Sequence, residues 1–206
     1  MIRFLSQLSR GPGTAPRREG AGMASERDAR RRAYLDKVAA ETDALEARGV
    51  MMGGNAFSPV LLVKGQLTED EKNGVPAFSG ADGKALRASL AALGYAPEDW
   101  ETLLVVGEDG SPLGPELLRE ALSALDPSTL VCCDEAAASA LREAYADDLA
   151  VLERLEEAML APGVVTHVAG MRVLNLGGFA DALADAHEKQ VMWARLKLIP
   201  PLGEPF

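Results

Sequence analysis

The sequence contains few cysteines, few histidines and few aromatic residues. Among its 206 residues are two cysteines, adjacent at Cys132 and Cys133, and two histidines. Neighbouring residues of a strand point to opposite faces, so these two thiols cannot form an ordinary disulfide with each other. A disulfide framework and an all-cysteine metal site are therefore excluded. We expect no metal and no cofactor, and two buried thiols beside a strand.

A long apolar run is also missing. No stretch of about 18 apolar residues occurs, so we expect no membrane-spanning helix and no membrane partner. The apolar fraction of 48% is still enough for one well-buried core. We expect an N-terminal extension at residues 1–24 and a single domain at residues 25–206. The extension lacks the apolar segment of a secretory signal. We expect this extension to be a disordered tail, or to result from a start codon placed upstream of the natural start at Met23. A transit peptide is the alternative.

Positive charge is scarce beyond the N-terminal segment. The formal net charge is −10, and residues 1–32 carry a local +5, which leaves −15 on the remainder. Proteins that bind phosphate groups normally show a basic stripe. The acidic body therefore disfavours a nucleic-acid partner and favours another protein or a small molecule. It fits a cytoplasmic protein whose negative charge prevents self-association.

Strand-like and helix-like segments alternate along the chain. Strands are predicted at 58–65, 100–107 and 126–133, and as a pair formed by "VVTHV" and "MRVLNL". Helices are predicted from Ser25 to about Arg48 and at 83–93, 115–125, 134–145, 147–160 and 179–199. This alternation predicts an α/β fold, a three-layer α/β/α sandwich with a mostly parallel central sheet.

Ligands of open parallel sheets bind at the carboxyl ends of the strands. That rule selects four segments: Lys64–Gly80, Gly107–Gly114, Asp134–Glu135 and Asn175–Phe179. In the first of them, the loop after Phe78 presents backbone N–H groups at a helix start, which is a natural anion site. Asp82 is expected to cap the same helix and to repel an anion. Both interpretations stay open on the sequence alone.

Three ordered segments carry a resemblance to a known family. They read "VLLVKGQLTEDEKNGVPAFSGADGKALRASLAALG", "LLVVGEDGSPLGPELLREALSALDPSTLVCCDEAAASALREAY" and "RVLNLGGFADALADAHEKQVMWARLKLI". In this order the segments resemble the uracil-DNA glycosylase superfamily, especially its family-4-like branch, over roughly residues 50–199. The resemblance implies a uracil-DNA glycosylase-like fold, a role in DNA repair, and DNA or a nucleobase as the partner.

The residues that would carry the family's chemistry match its pattern poorly. The resemblance implies that Phe78 stacks on an extruded base, and it places Gln66 where the family often has an acid. No Asn follows the second strand, and the last loop, Leu176–Phe179, contains no His. The iron–sulfur cysteines of the branch are also absent. Excision requires the base edge to be read and developing charge to be stabilised, so we expect a degenerate site without standard uracil excision.

Candidate site residues follow from these patterns. The catalytic candidates are Gln66, Glu69 and His167, although a solvated acidic loop around Glu69 and a structural role for His167 are the alternatives. Base- or phosphate-binding candidates are Gly65, Phe78, Ser79, Gly80, Gly177 and Gly178. Three hypotheses result: a divergent family member retained for binding a base, a nucleotide or a protein; an active glycosylase with altered substrate choice; and a small-molecule-binding module unrelated to DNA.

Overall fold

The computed structural model describes residues 19–55 and 58–200, which form an α/β fold. The strands are β1 Met52–Gly54, β2 Val60–Lys64, β3 Trp100–Leu104, β4 Thr129–Cys132, β5 Val165–Val168 and β6 Met171–Asn175. The helices are α1 Glu19–Glu46, α2 Glu69–Lys72, α3 Ala81–Ala92, α4 Pro115–Leu125, α5 Glu135–Ala144, α6 Ala146–Ala150, α7 Leu155–Ala158, α8 Phe179–Ala182 and α9 Ala186–Leu196. A 3₁₀ turn at Pro97–Asp99 leads into β3.

Within the described residues the strands form one sheet in the order β1-β3-β2-β4-β6-β5. Strands β3, β2, β4 and β6 are parallel to one another. The edge strands β1 and β5 are antiparallel to their neighbours, and β5 and β6 pair through Ala169–Gly170 as the sequence predicts. The mostly parallel sheet is therefore confirmed, and its order places the carboxyl ends of β2 and β4 side by side at the centre.

Helices cover both faces of the sheet. Leu118 of α4 and Leu141 of α5 belong to the core on one face, whereas Leu90 of α3 and Leu196 of α9 belong to the core on the other. Successive residues of β2 alternate between the two cores, as the two-residue period of a strand requires. The three-layer α/β/α sandwich is confirmed. Among the residues described, no helix combines the length and apolarity needed to cross a membrane.

The N-terminal helix differs from the prediction. Helix α1 begins at Glu19 rather than at Ser25, although Gly20 and Gly22 are poor helix formers. By its internal contacts the chain divides into Met1–Ala39 and Ala40–Phe206, and the domain boundary at residue 25 stays a prediction. The tail predicted before Glu19 lies outside the described residues and stays a prediction.

Two predicted helices are wrong in length. The segment 147–160 forms the separate helices α6 and α7 instead of one helix. Val151, between the two helices, is 79% exposed, and Leu155, the first residue of α7, is 74% exposed. A helix gains most of its stability by burying an apolar face, and these side chains bury little. The segment 179–199 is also divided, because Asp185 accepts hydrogen bonds from the N–H groups of His187 and Glu188 and so starts α9 as an N-cap.

Candidate functional site

A cavity of about 180 Å³ lies at the carboxyl ends of β2 and β4, where the fold is expected to bind ligands. Its apolar walls come from Leu86, Cys133 and Phe179, and Gln66 and Asp181 contribute polar side chains at its rim. Lys64 and Phe78 of the first predicted ligand segment line the cavity together with residues at the start of α8.

A buried cluster of three charged side chains lies beside this cavity. The Lys64 Nζ atom donates to both carboxylate oxygens of Glu71, at 2.9 and 2.8 Å, and to Oδ2 of Asp82 at 2.8 Å. The side chains of Lys64, Glu71 and Asp82 are only 4%, 4% and 8% exposed. The same ammonium lies 5.2 Å from the centre of the Phe78 ring, within cation–π range. One lysine is thus shared by two carboxylates and an aromatic ring.

Glu71 joins the cluster to two loops. Its carboxylate accepts the N–H of Thr68 at 2.7 Å and the N–H of Phe78 at 2.9 Å, and Thr68 in return accepts the N–H of Glu71, which completes a capping box on α2. Burial raises the pKa of Glu71, but the hydrogen bonds from Lys64, Thr68 and Phe78 outweigh it and leave this pKa below its usual value. Glu71 is therefore held ionised by groups of the protein itself.

Phe78 is held in an unusual backbone conformation. Its φ is 58°, a left-handed value that costs energy for a bulky side chain. A Cβ atom at Gly83 would lie 1.5 Å from the Phe78 carbonyl oxygen, so only glycine allows the two segments to approach this closely. Arg87 also donates to that carbonyl oxygen, at 3.0 Å. The residue is 2% exposed, and its ring offers little free face to a stacking base.

Asp134 connects the loop after β2 to the start of α5. Its carboxylate accepts the N–H groups of Gly65 at 2.9 Å, Gln66 at 2.8 Å and Ala137 at 2.8 Å. Asp134 is the N-cap of α5. The three donors use both of its oxygens, so Asp134 positions the wall of the cavity rather than reacting with a ligand.

Replacing Asp134 by Asn tests this positioning role. Asn keeps one acceptor oxygen, so at least one buried N–H group loses its partner, and we expect a loss of about 1–3 kcal/mol in the free energy of unfolding. Asp185→Asn is the matched control, because a single oxygen of Asp185 accepts both of its N–H donors and Asn caps a helix as well as Asp does. Urea unfolding measures the free energy of unfolding of both variants. Equal losses in the two variants would contradict the positioning role of Asp134.

The structure brings together only some of the predicted site residues. Gln66 and Phe78 line the cavity. Glu69 is exposed and pairs with Lys72 at 2.7 Å, so it is solvated as the alternative expects, but it lies in helix α2 rather than in a loop. His167 is exposed on β5, opposite Arg172, and is not among the residues that line the cavity. The three catalytic candidates therefore do not converge on one point.

The glycine candidates serve mainly to shape loops. A Cβ atom at Gly65 would lie 2.7 Å from Ala136 and from Val105. Ser79 and Gly80 are exposed, and Gly80 rather than Asp82 is the N-cap of α3. The capping expected of Asp82 is therefore wrong, because its carboxylate is taken by Lys64 and by the N–H of Gly83.

The last loop also uses its polar groups internally. Gly177 and Gly178 have φ values of 75° and 113°, which favour glycine. Asn175 accepts the N–H of Gly177 at 2.8 Å and donates to the carbonyl oxygen of Leu160 at 2.8 Å. The N–H of Phe179 donates to the Cys133 carbonyl oxygen. The N–H of Leu176 donates to the Cys132 carbonyl oxygen, so three of the loop's four N–H groups are already occupied and the loop is poorly suited to hold a phosphate.

Two larger clefts adjoin the cavity on the other side of Leu67. One, of about 390 Å³, lies beside β1 and the α2–α3 loop. The other, of about 600 Å³, lies between the loop after β2 and the predicted 107–114 loop, and Met51, Val106, Glu108 and Asp109 line it. Leu67 borders the cavity and both clefts. Leu67 lies within the segment Lys64–Gly80 that the sequence selects, but no sequence pattern distinguishes this leucine from its neighbours.

The cysteines have the environment that the sequence predicts. Cys132 and Cys133 are free and buried, and burial raises the pKa of each thiol. Such thiols are poor nucleophiles because the thiolate form is disfavoured. In the described part of the chain, no group of three or more His, Cys, Asp or Glu side chains is arranged to hold a metal ion.

Comparison with known proteins adds no relative to this picture. No protein-family model matches the sequence, and no curated protein is significantly similar to it. The resemblance to uracil-DNA glycosylases therefore stays a prediction from sequence pattern.

Proposed function

We propose that this chain is a cytoplasmic binding protein of uracil-DNA glycosylase-like ancestry that holds a free pyrimidine base and does not excise uracil. The observation that carries the proposal is the pairing of a ring-sized cavity with a charged cluster whose members are engaged with one another. Binding requires only the cavity, whereas excision requires groups that are free to act on the ligand.

The size of the cavity favours a single ring. An apolar protein cavity of about 150 Å³ suffices for benzene, and the present one measures about 180 Å³. Drug-sized ligands occupy pockets of about 300–1,000 Å³. A pyrimidine base therefore fits better than a purine or an entire nucleotide.

The lining suits a planar ring with polar edges. Leu86 and Phe179 supply apolar walls, and the amide of Gln66 can both donate and accept hydrogen bonds. Gln66 is the one amide among the lining residues, which otherwise combine apolar side chains with charged ones and Thr68, and a few placed polar groups that fix a ligand's orientation are typical of small-molecule sites. We assign Gln66 the role of reading the edge of the base.

The same geometry argues against excision. Among the residues that line the cavity there is no histidine and no asparagine, so the groups expected to stabilise a departing base and to read uracil are not supplied there. The loss of one such donor commonly costs a factor of about 10²–10³ in rate. Lys64 is held by two carboxylates and cannot replace the histidine without giving up both.

Charge argues against a DNA strand as the ligand. Asp82, Asp134 and Asp181 line the cavity with Lys64 as the single basic residue, and that lysine is already paired. A phosphate backbone entering this region would meet mainly negative charge. A free base carries no phosphate and avoids this repulsion.

Two assays on the full chain test the proposal. Thermal unfolding with uracil, cytosine and adenine should show stabilisation by the pyrimidines, because a ligand at a hundredfold its Kd adds about 2.7 kcal/mol to the free energy of unfolding. Adenine serves as the size control. Incubation with single-stranded DNA that contains uracil should release no uracil, and the DNA should not bind even at low salt.

Each negative result has a distinct meaning. Stabilisation by adenine equal to that by the pyrimidines would contradict the size argument. Release of uracil from the DNA would favour the alternative of an active glycosylase. A Gln66→Ala variant that binds cytosine as well as the wild type does would remove Gln66 from the site but leave the cavity in place.

A further inference from the structure

We infer that the 600 Å³ cleft beyond Leu67 is a second compartment of the same site, which accepts an uncharged or cationic extension of the bound ring and rejects a phosphate. This inference rests on the proposed function, since it takes the ring in the smaller cavity as given. It assigns the ligand class more narrowly, as a nucleoside or amine-bearing pyrimidine rather than a nucleotide.

Continuity of the two spaces is the first argument. Leu67 borders both the ring-sized cavity and the cleft. Its backbone follows Gln66, whose N–H is fixed by Asp134 at 2.8 Å, so the loop that carries the leucine is anchored at its base. Leu67 is only partly buried, and as the one residue common to both linings it is where the inferred site passes from the cavity into the cleft.

The charge of the cleft is the second argument. Glu108 and Asp109 contribute two carboxylates, whereas the carboxylate of Glu71, which also lines the cleft, is held by Lys64. Lys72 contributes one ammonium that already pairs with Glu69 at 2.7 Å. The side chain and the N–H of Ser111 lower the pKa of Asp109, so this carboxylate is ionised at neutral pH. Phosphate carries about two negative charges near neutral pH, and the surrounding carboxylates would repel it.

The remaining lining explains what the cleft can accept. Met51 and Val106 give apolar surface, which suits the carbon frame of a sugar or an alkyl amine. Glu108 is exposed, and among the described residues it has no hydrogen bond or ion pair to another side chain. Its carboxylate is therefore available to accept a hydroxyl or ammonium donor.

Three probes separate this inference from the function on which it rests. Calorimetric titration of the full chain with uracil, 2′-deoxyuridine and 2′-deoxyuridine 5′-monophosphate compares the ring alone, the ring with a sugar, and the same compound with a phosphate. We expect the nucleoside to bind at least as tightly as uracil and the monophosphate to bind on the order of tenfold more weakly. If the monophosphate binds as tightly as the nucleoside, the inference is overturned. If uracil still binds in that case, the proposed function is retained.

A charge reversal identifies the residues responsible. Glu108→Lys should raise the affinity for the monophosphate severalfold and leave uracil binding unchanged. Glu143→Lys is the matched control, because Glu143 is exposed on α5 and gives the same change in net charge far from the cleft lining. Equal effects of both variants would assign the rejection to the overall charge and overturn the role of the cleft. Failure of all three probes to bind overturns the inference together with the proposed function.

Discussion

Replacing Lys64 by Met is expected to destabilise the fold by about 3–5 kcal/mol at neutral pH, because it leaves Glu71 and Asp82 buried without their shared cation. Both carboxylates lie within 2.9 Å of the ammonium in the native protein. Removing one partner of a buried ion pair is costly since the remaining charge stays desolvated. Urea unfolding followed by circular dichroism measures the loss.

The contribution of Glu71 to the pH dependence of stability should have the opposite sign in this variant. In the native protein the pKa of Glu71 lies below its usual value of 4.5, so the stability it contributes is present above that pH and lost on acidification. Without Lys64, burial and the nearby charge of Asp82 favour the protonated form of Glu71. The variant should therefore become more stable, relative to the native protein, as the pH falls from about 7 towards about 4.

Two further variants make the result specific. Lys72→Met removes an exposed lysine that pairs with Glu69, and it should cost less than about 1 kcal/mol. The triple variant Lys64→Met, Glu71→Gln, Asp82→Asn removes all three charges and should recover most of the loss. If the triple variant were as unstable as the single one, packing of the lysine side chain rather than charge would explain the effect.

Much of the fold could be predicted because local pattern and tertiary packing agree. Helix α4 occupies the predicted residues 115–125, where Pro115 starts it and an apolar face meets the sheet. Strands β2 and β4 are fully buried apolar runs, which sequence shows directly. Strand β1 was not predicted, because it is three residues long and contains two glycines, which have low strand propensity.

The sequence contains a helix-start signal for two helices that were not predicted correctly, α2 and α9. Thr68 and Glu71 have the spacing of a capping box, which marks the start of α2. Asp185 and Glu188 have the same spacing, and Asp185 does start α9. The longer apolar pattern across 179–199 concealed this break, because periodicity does not show where one helix ends and another begins.

The candidate site could be predicted only in position. The rule for parallel sheets selects the loop after β2, and Gln66 and Phe78 do line the cavity. The ion cluster is a product of the fold, since Lys64 meets Asp82 across 18 positions of sequence. The left-handed φ of Phe78 likewise depends on its contact with Gly83, and no single-residue preference indicates it.

Replacing Glu101 by Gln is expected to stabilise the protein near pH 8 and to flatten its pH dependence. Glu101 lies in β3 between Leu61 of β2 and Gly54 of β1. It is 3% exposed, and among the described residues its Oε1 atom has no hydrogen-bond partner. Burial raises the pKa of its carboxyl from 4.5 to about 8, so the folded protein holds a proton that the unfolded chain releases.

The sign follows from this difference in bound protons. Between pH 4.5 and about 8 the folded state binds more protons at Glu101 than the unfolded state does. The free energy of unfolding therefore falls by up to about 1.4 kcal/mol for each unit of rising pH in that window. The stability contributed by protonated Glu101 is complete below pH 4.5 and is lost as the pH rises through about 8.

A neutral side chain at this position cannot lose a proton. The glutamine introduced by Glu101→Gln has nearly the shape of protonated Glu, so the two proteins should have similar stability near pH ~5 and should differ by a few kcal/mol near pH ~8. Urea unfolding at intervals of one pH unit measures the difference. Glu143→Gln provides the control, since it removes the same charge from an exposed position of α5 and should leave the slope unchanged. Parallel curves for Glu101→Gln and the native protein would show that Glu101 is ionised in the folded state and that its carboxylate has found a partner.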